Sequence, residues 1–181
     1  MVRGHALRRP GTTREFPRRA GTPEAALRTL PPARTLDVAC GTGFLTRHLP
    51  GEIVALDQSS AMLEIAREQA PNATYVTGDA YALPFPDDSF DRLFTGHFYG
   101  HLEPADREAF LTEARRVARQ IVVADAARRP ERDPEEWQQR AISDGTTYPV
   151  FKRFFLPDQL VDELGGGDVL FAGDWFVVAA A

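Results

Sequence analysis

The chain has 181 residues, with 26 acidic against 21 basic side chains and 43% hydrophobic residues. That length fits one globular domain, able to bury about 70% of its unfolded surface. An acidic body argues against a nucleic-acid duplex as partner, and no apolar run approaches the ~20 residues that span a bilayer. Cys40 is the only cysteine, so no internal disulfide can form, which fits a reducing cytoplasm.

The charge is uneven. Residues 1–34 hold eight arginines against Glu15 and Glu24, leaving the remainder strongly acidic. Such an arm can bind nucleic acid or anionic lipid. The plainer reading is a solvated tail, because Phe16 stands alone where base stacking would want several aromatics. No apolar segment follows the arginines, which argues against a secretory signal. Within the arm, Thr22 to Leu30 reads as a short helix. Thr22 is its N-cap, Pro23 its first residue, Ala25, Ala26, Leu27 and Leu30 its packing face, and Pro31-Pro32 its stop.

Arg34 to Leu45 reads as an apolar strand running into a glycine turn and then a helix start. That arrangement sets backbone N–H groups and a helix N-terminus beside a ligand. A dinucleotide site would want a third glycine, but Thr46 stands in its place. Asp37 lies four residues before Gly41, where a carboxylate suits an amino-bearing ligand better than a pyrophosphate. Cys40 serves as a small residue in this turn rather than as a nucleophile.

Glu52 to Asp57 reads as a second strand ending in an acid, 14 residues beyond Gly43. Asp57 can accept two ribose hydroxyls or cap the helix that follows. That helix runs from Ser59 to Ala70, with Met62, Leu63 and Ala66 on its apolar face. A third strand, Thr74 to Thr77, ends in Gly78-Asp79-Ala80-Tyr81-Ala82-Leu83-Pro84-Phe85. Three acids thus close three successive strands.

The patterns D-x-x-x-G-x-G, D-x-S-x-x-M-L and G-D-A-x-x-L-P-F resemble those of the class I S-adenosylmethionine-dependent methyltransferases. The likeness runs from about Arg34 to the C-terminus and is nearest to small-molecule members, including those of quinone biosynthesis. Ala39 departs from it, since many members have glycine there. The resemblance implies S-adenosylmethionine as cofactor, with S-adenosylhomocysteine as product. It implies a cofactor set of Asp37, Ala39, Cys40, Gly41, Gly43, Asp57, Gln58, Met62, Asp79, Ala80 and Thr95. In that set Met62 packs on the adenosine, Asp79 meets the adenine amino group and the Ala80 N–H a ring nitrogen. Family members carry longer helices ahead of the first motif, which Pro10-Gly11 and Pro17 interrupt here. A cover for the cofactor is then reduced, ordered on binding, or completed by a second subunit, so both monomer and homodimer stay open.

Phe90 to Gly96 reads as a fourth strand, with little room for a helix before it. Beyond it come His97-Phe98-Tyr99-Gly100-His101, where substrate chemistry belongs. Either histidine can act as general base near pH 7 or simply pack at the wall, and Tyr99 can shape the pocket. The family's Asn/Asp-Pro-Pro-aromatic motif of exocyclic-amine enzymes is missing. H-F-Y-G-H also lacks the glutamate of a zinc motif, so no metal is expected.

Ala105 to Arg119 reads as an amphipathic helix and Gln120 to Asp125 as a fifth strand. The alternation then breaks over residues 126–156, with a short helix expected at Glu135 to Ile142. By the resemblance this insertion walls the acceptor pocket. Trp137, Tyr148, Phe151 and Phe154 would be its apolar lining. Lys152 and Arg153 would either hold an anionic group or lie as solvated cations beside core phenylalanines. A helix from Pro157 to Leu164, a glycine cap, and two β-rich runs flanking Gly173-Asp174 complete the chain.

The expected fold is α/β and Rossmann-like: seven strands, mostly parallel, with a C-terminal antiparallel hairpin and helices on both faces. Residues 1–33 form an arm and 34–181 the domain. The expected activity is methyl transfer to a small or medium organic acceptor, at oxygen in preference to carbon or nitrogen. Two alternatives remain: a protein of this fold that binds the cofactor without transferring methyl, and an RNA-directed enzyme using the arm.

Overall fold

The computed structural model describes residues 21–141 and 145–181. The expected arm over residues 1–20, Ile142 and Asp144 lie outside the described residues. Four helices are seen among those described: α1 (Pro23–Arg28), α2 (Ser60–Gln69), α3 (Pro104–Val117) and α4 (Pro157–Leu164). Seven strands form the main sheet: β1 (Ala33–Val38), β2 (Gly51–Asp57), β3 (Thr74–Thr77), β4 (Phe90–Gly96), β5 (Ala118–Ala126), β8 (Asp168–Ala172) and β9 (Phe176–Ala180). A separate antiparallel pair joins β6 (Glu135–Ala141) to β7 (Thr147–Arg153).

The sheet order is β3-β2-β1-β4-β5-β9-β8. Its first five strands are parallel, and β9 runs antiparallel to both β5 and β8. Chain direction across the sheet reverses between β1 and β4, which opens a crevice at their C-terminal ends.

Strand alternation sorts the core into two layers. Leu36, Val38, Val54, Leu56, Leu93 and Val123 face the α3 and α4 side, where Phe110, Val117, Leu160 and Leu164 meet them. Ile53, Phe94, Val122 and Val178 face the other side, with Leu27 of α1 and Leu45 and Leu49 of the β1–β2 connection. Central strands buried on both faces explain their unbroken apolar runs.

Local signals set the helix ends. Thr22 caps α1 by accepting the Ala25 N–H at 3.2 Å, and Ser59 caps α2 by accepting that of Met62 at 3.4 Å. Proline occupies the first turn of α1, α3 and α4, where its missing N–H costs nothing. Gly165 ends α4 in the left-handed region, at φ 95°.

Two expectations fail. The glycine turn after β1 leads into no α-helix; only a 3₁₀ turn, Thr46–His48, precedes β2. Residues 135–141 are a strand, not a helix. Their Glu, Gln and Arg residues favour a helix locally, but register with the β-branched and aromatic residues of β7 overrides that preference.

Gly51 opens β2 at φ 104°, and a Cβ there would lie 2.2 Å from the Ala33 carbonyl oxygen. Gly51→Ala must therefore part β1 from β2 as well as strain the backbone. The expected loss is about 1–3 kcal/mol or more of unfolding free energy, read as a lowered urea midpoint with an unchanged slope.

Candidate functional site

The C-terminal ends of β1 to β4 surround a cleft of about 300 Å³, lined by residues that include Ala39, Asp57, Gln58, Asp79, Ala80 and Phe98. The turn after β1 makes its floor. Ala39, Gly41 and Gly43 all adopt positive φ, at 57°, 54° and 76°. Gly43 needs to be glycine for space as well, because a Cβ would sit 3.2 Å from Ala66 of α2.

This turn is held from β2. The Cys40 N–H donates to the Leu56 carbonyl at 3.1 Å, and the Gly41 N–H to Asp57 Oδ2 at 2.9 Å. Asp57 Oδ1 accepts the Ser59 N–H at 2.9 Å. Each Asp57 oxygen keeps a further lone pair for hydroxyl donors in the cleft. Asp79 is exposed, and its Oδ1 accepts the Tyr81 N–H at 2.9 Å, fixing the loop after β3. Gln58 and Met62 are exposed at the same edge.

Asp37 and Thr95 sit below rather than in the cleft. Asp37 is buried and accepts the Thr46 hydroxyl at 2.6 Å. Burial pushes its carboxyl up to about 7, with the nearby Asp57 adding to the rise and Thr46 opposing it. Thr95 is buried and donates to the Val38 carbonyl at 2.9 Å, tying β4 to the end of β1. Cys40 is half-buried, and burial followed by Asp37 and Asp57 pushes its thiol well up, which suits a packing role.

At the end of β4, His97 also has positive φ, 58°, unusual for a residue with a Cβ. Its N–H donates to Ala124 O at 2.9 Å, and its ring meets Phe176 edge-on at 5.0 Å. His101 closes a 3₁₀ turn, Tyr99–His101, and its Nδ1 lies 2.8 Å from the Phe151 carbonyl. A carbonyl only accepts, so Nδ1 carries the proton and Nε2 is the free base in the neutral ring. Desolvation lowers both histidines, so each is neutral near pH 7.

The expected acceptor wall does not assemble. Tyr99 is a core residue, 1% exposed, stacked on Phe155 with its hydroxyl donating to Glu163 at 3.3 Å. Trp137 and Phe151 are cross-strand partners on one face of the β6–β7 pair, whereas Tyr148 and Lys152 face the other. The four cannot line one pocket. Phe154 is buried beneath Arg132.

Nor do the two cations wait for an anion. Lys152 is buried and bonded to Asp125 at 2.7 Å, and Asp125 also accepts the Gly100 N–H at 2.8 Å. Arg153 pairs with Glu135 and Glu163. These charges dock the β6–β7 pair onto the His97–His101 segment. Phe98 and Tyr81, which line the cleft, were not in the expected set; their signal was only proximity to the ends of β4 and β3.

The buried Asp37 carboxyl makes stability pH-dependent. Its folded value lies above the unfolded one, so the native state holds the extra proton between about pH 4 and 7. Its contribution is complete below that window and lost as pH rises through about 7. Unfolding free energy should fall by up to about 1.4 kcal/mol per pH unit across the window from this group alone. Asp37→Asn should remove that slope in a pH series of urea titrations.

Comparison with known proteins adds the family. Residues 36–122 match the model of a methyltransferase domain. The chain is 42% identical over 91 residues to the demethylmenaquinone methyltransferase of Thermotoga maritima, covering 48% of this chain and 39% of that protein. It is 42% identical over 72 residues to a malonyl-[acyl-carrier protein] O-methyltransferase of Halorhodospira halophila, covering 35% and 24%. It thus spans well under half the length of these curated relatives. Among solved structures, the DhpI–SAH complex superposes with a TM-score of 0.66 at 26% identity, over 81% of this chain and 74% of that one. The glycopeptide N-methyltransferase MtfA with sinefungin gives 0.65 at 23% identity, over 87% and 90%, a likeness of fold. This strand order, with a methyltransferase-domain match running from β1 into β5, supports a class I S-adenosylmethionine-dependent methyltransferase.

Proposed function

We propose that the protein transfers a methyl group from S-adenosylmethionine to a small or medium organic acceptor, with oxygen preferred over carbon or nitrogen. The observation that carries this reading is the pair of carboxylates, Asp57 and Asp79, at the ends of neighbouring strands and lining one cleft beside the glycine turn. Their chemistry fits an adenosine: Asp57 takes the ribose hydroxyls, Asp79 the adenine amino group, and the Ala80 N–H a ring nitrogen. Gln58 and Met62 flank it. The turn at Ala39, Cys40, Gly41 and Gly43 lets the amino-acid end approach the backbone, above Asp37 and Thr95. Relatives named as demethylmenaquinone and malonyl-[acyl-carrier protein] methyltransferases support an organic acceptor group of small or medium size.

When bound, the sulfonium supplies an already activated methyl group. The residues of the chain then have two tasks: alignment of the acceptor and removal of its proton. His97 and His101 are the candidate bases, both neutral at the working pH.

Incubation with isotope-labelled S-adenosylmethionine and an acceptor library should give products heavier by one methyl group. Asp57→Ala and Asp79→Ala should each weaken S-adenosylhomocysteine binding by about tenfold or more, a loss of roughly 1.4 kcal/mol. Calorimetric affinities unchanged in both variants would contradict the site.

A further inference from the structure

A second, larger groove of about 480 Å³ is lined by residues that include Thr22, Glu24, Phe171, Asp174, Trp175 and Phe176. Its walls come from the first turn of α1 and the turn between β8 and β9. Because β9 runs antiparallel to β5, with Phe176 opposite Ala126, that turn returns to the sheet edge where β4 ends. The consecutive residues His97 and Phe98 link the two linings. The His97 ring lies against Phe176 of the groove, 5.0 Å away, while Phe98 lines the smaller cleft. His97 takes a left-handed backbone conformation at this point.

The chemistry of the groove is aromatic and anionic. Glu24 is half-buried, and its hydrogen bond with Thr22 holds its carboxyl below the usual range. It is therefore ionised at neutral pH. Trp175 is 62% exposed, a large flat apolar face beside Phe176. Arg129 lies over that indole at 4.1 Å, so the ring already takes a flat cation. No lysine, arginine or histidine is among the described residues lining the groove.

We propose that this groove seats the methyl acceptor, and that the acceptor is a flat aromatic alcohol bearing an ammonium group. The inference rests on the methyl-transfer reading above. The ammonium group pairs with Glu24, the ring lies along Trp175 and Phe176, and the hydroxyl turns toward His97. In the reaction the acceptor oxygen bonds to the methyl carbon of the sulfonium. The carbon–sulfur bond breaks with its electron pair left on sulfur, giving a thioether, and the hydroxyl proton passes to the neutral His97 ring. The acceptor site thus lies at α1 and the β8–β9 turn rather than in residues 126–156.

The test uses the full chain carrying Trp137→Phe, which leaves Trp175 as its one indole fluorophore. Tyramine and 4-hydroxyphenylacetate share a phenol but differ in charge, and each is titrated in the presence of S-adenosylhomocysteine. Tyramine should change the Trp175 emission saturably, with the anion at least about tenfold weaker. Glu24→Gln should shrink that preference to about threefold or less. Equal or tighter binding of the anion overturns the proposal, as does a preference untouched by Glu24→Gln. So does a groove that takes no tyramine because another segment of the chain fills it. Calorimetry of S-adenosylhomocysteine is run separately. Failure there removes the methyl-transfer reading, whereas donor binding without the tyramine preference removes only the groove.

Discussion

A glycine turn with no helix behind it has to be held from the side, and the cleft depends on how that is done. Here β2 does the holding, through the Leu56 carbonyl to Cys40 and the Asp57 carboxylate to Gly41. Beneath the turn, Thr46 is bonded to the buried Asp37. Ala39, Gly41 and Gly43 therefore stay in left-handed conformations, with the N–H groups of Cys40, Gly41 and Gly43 spent on holding the turn. One carboxylate, Asp57, both fixes the floor and faces the ligand space, so shape and recognition are coupled in a single side chain.

A similar economy organises the other end of the crevice. Asp125 ends β5 with 0% exposure and gathers the Gly100 N–H, the Ala126 N–H and the Lys152 ammonium. A buried carboxylate with three donors is well compensated, whereas removal of one partner leaves charge in a poor solvent. The pair anchors β7 against the turn that carries His101. Residues that look like surface cations in the sequence thus serve as struts.

The parallel core was legible because β1, β2, β4 and β5 are buried on both faces and read as apolar runs with glycine, proline or acid at their ends. The three strand-end acids were legible as a series, although burial separates Asp37 from the cleft and leaves Asp57 and Asp79 to line it. The strand β6 was not legible, because Glu135-Glu136-Trp137-Gln138-Gln139-Arg140 carries helix formers and only its pairing with β7 makes it extended. Lys152 was misread because its partner Asp125 is 27 residues away. The groove at Glu24 and Trp175 gave no signal at all. Its parts look like an ordinary N-cap and an ordinary hairpin turn until β9 folds back beside β5.

That returning strand has a consequence for how the chain reaches its structure. The partners of β5 on this side come from far along the sequence, Val122 meeting Ala180 and Ala126 meeting Phe176. Contacts of such separation close large loops, and sheets built on them assemble slowly. Until β9 arrives, β5 is an edge strand whose unpaired backbone groups invite any other extended segment. Its apolar sequence, Ile121-Val122-Val123-Ala124, offers nothing to repel a second molecule. The same insertion that brings Phe176 to His97 makes the half-folded chain prone to strand exchange between copies.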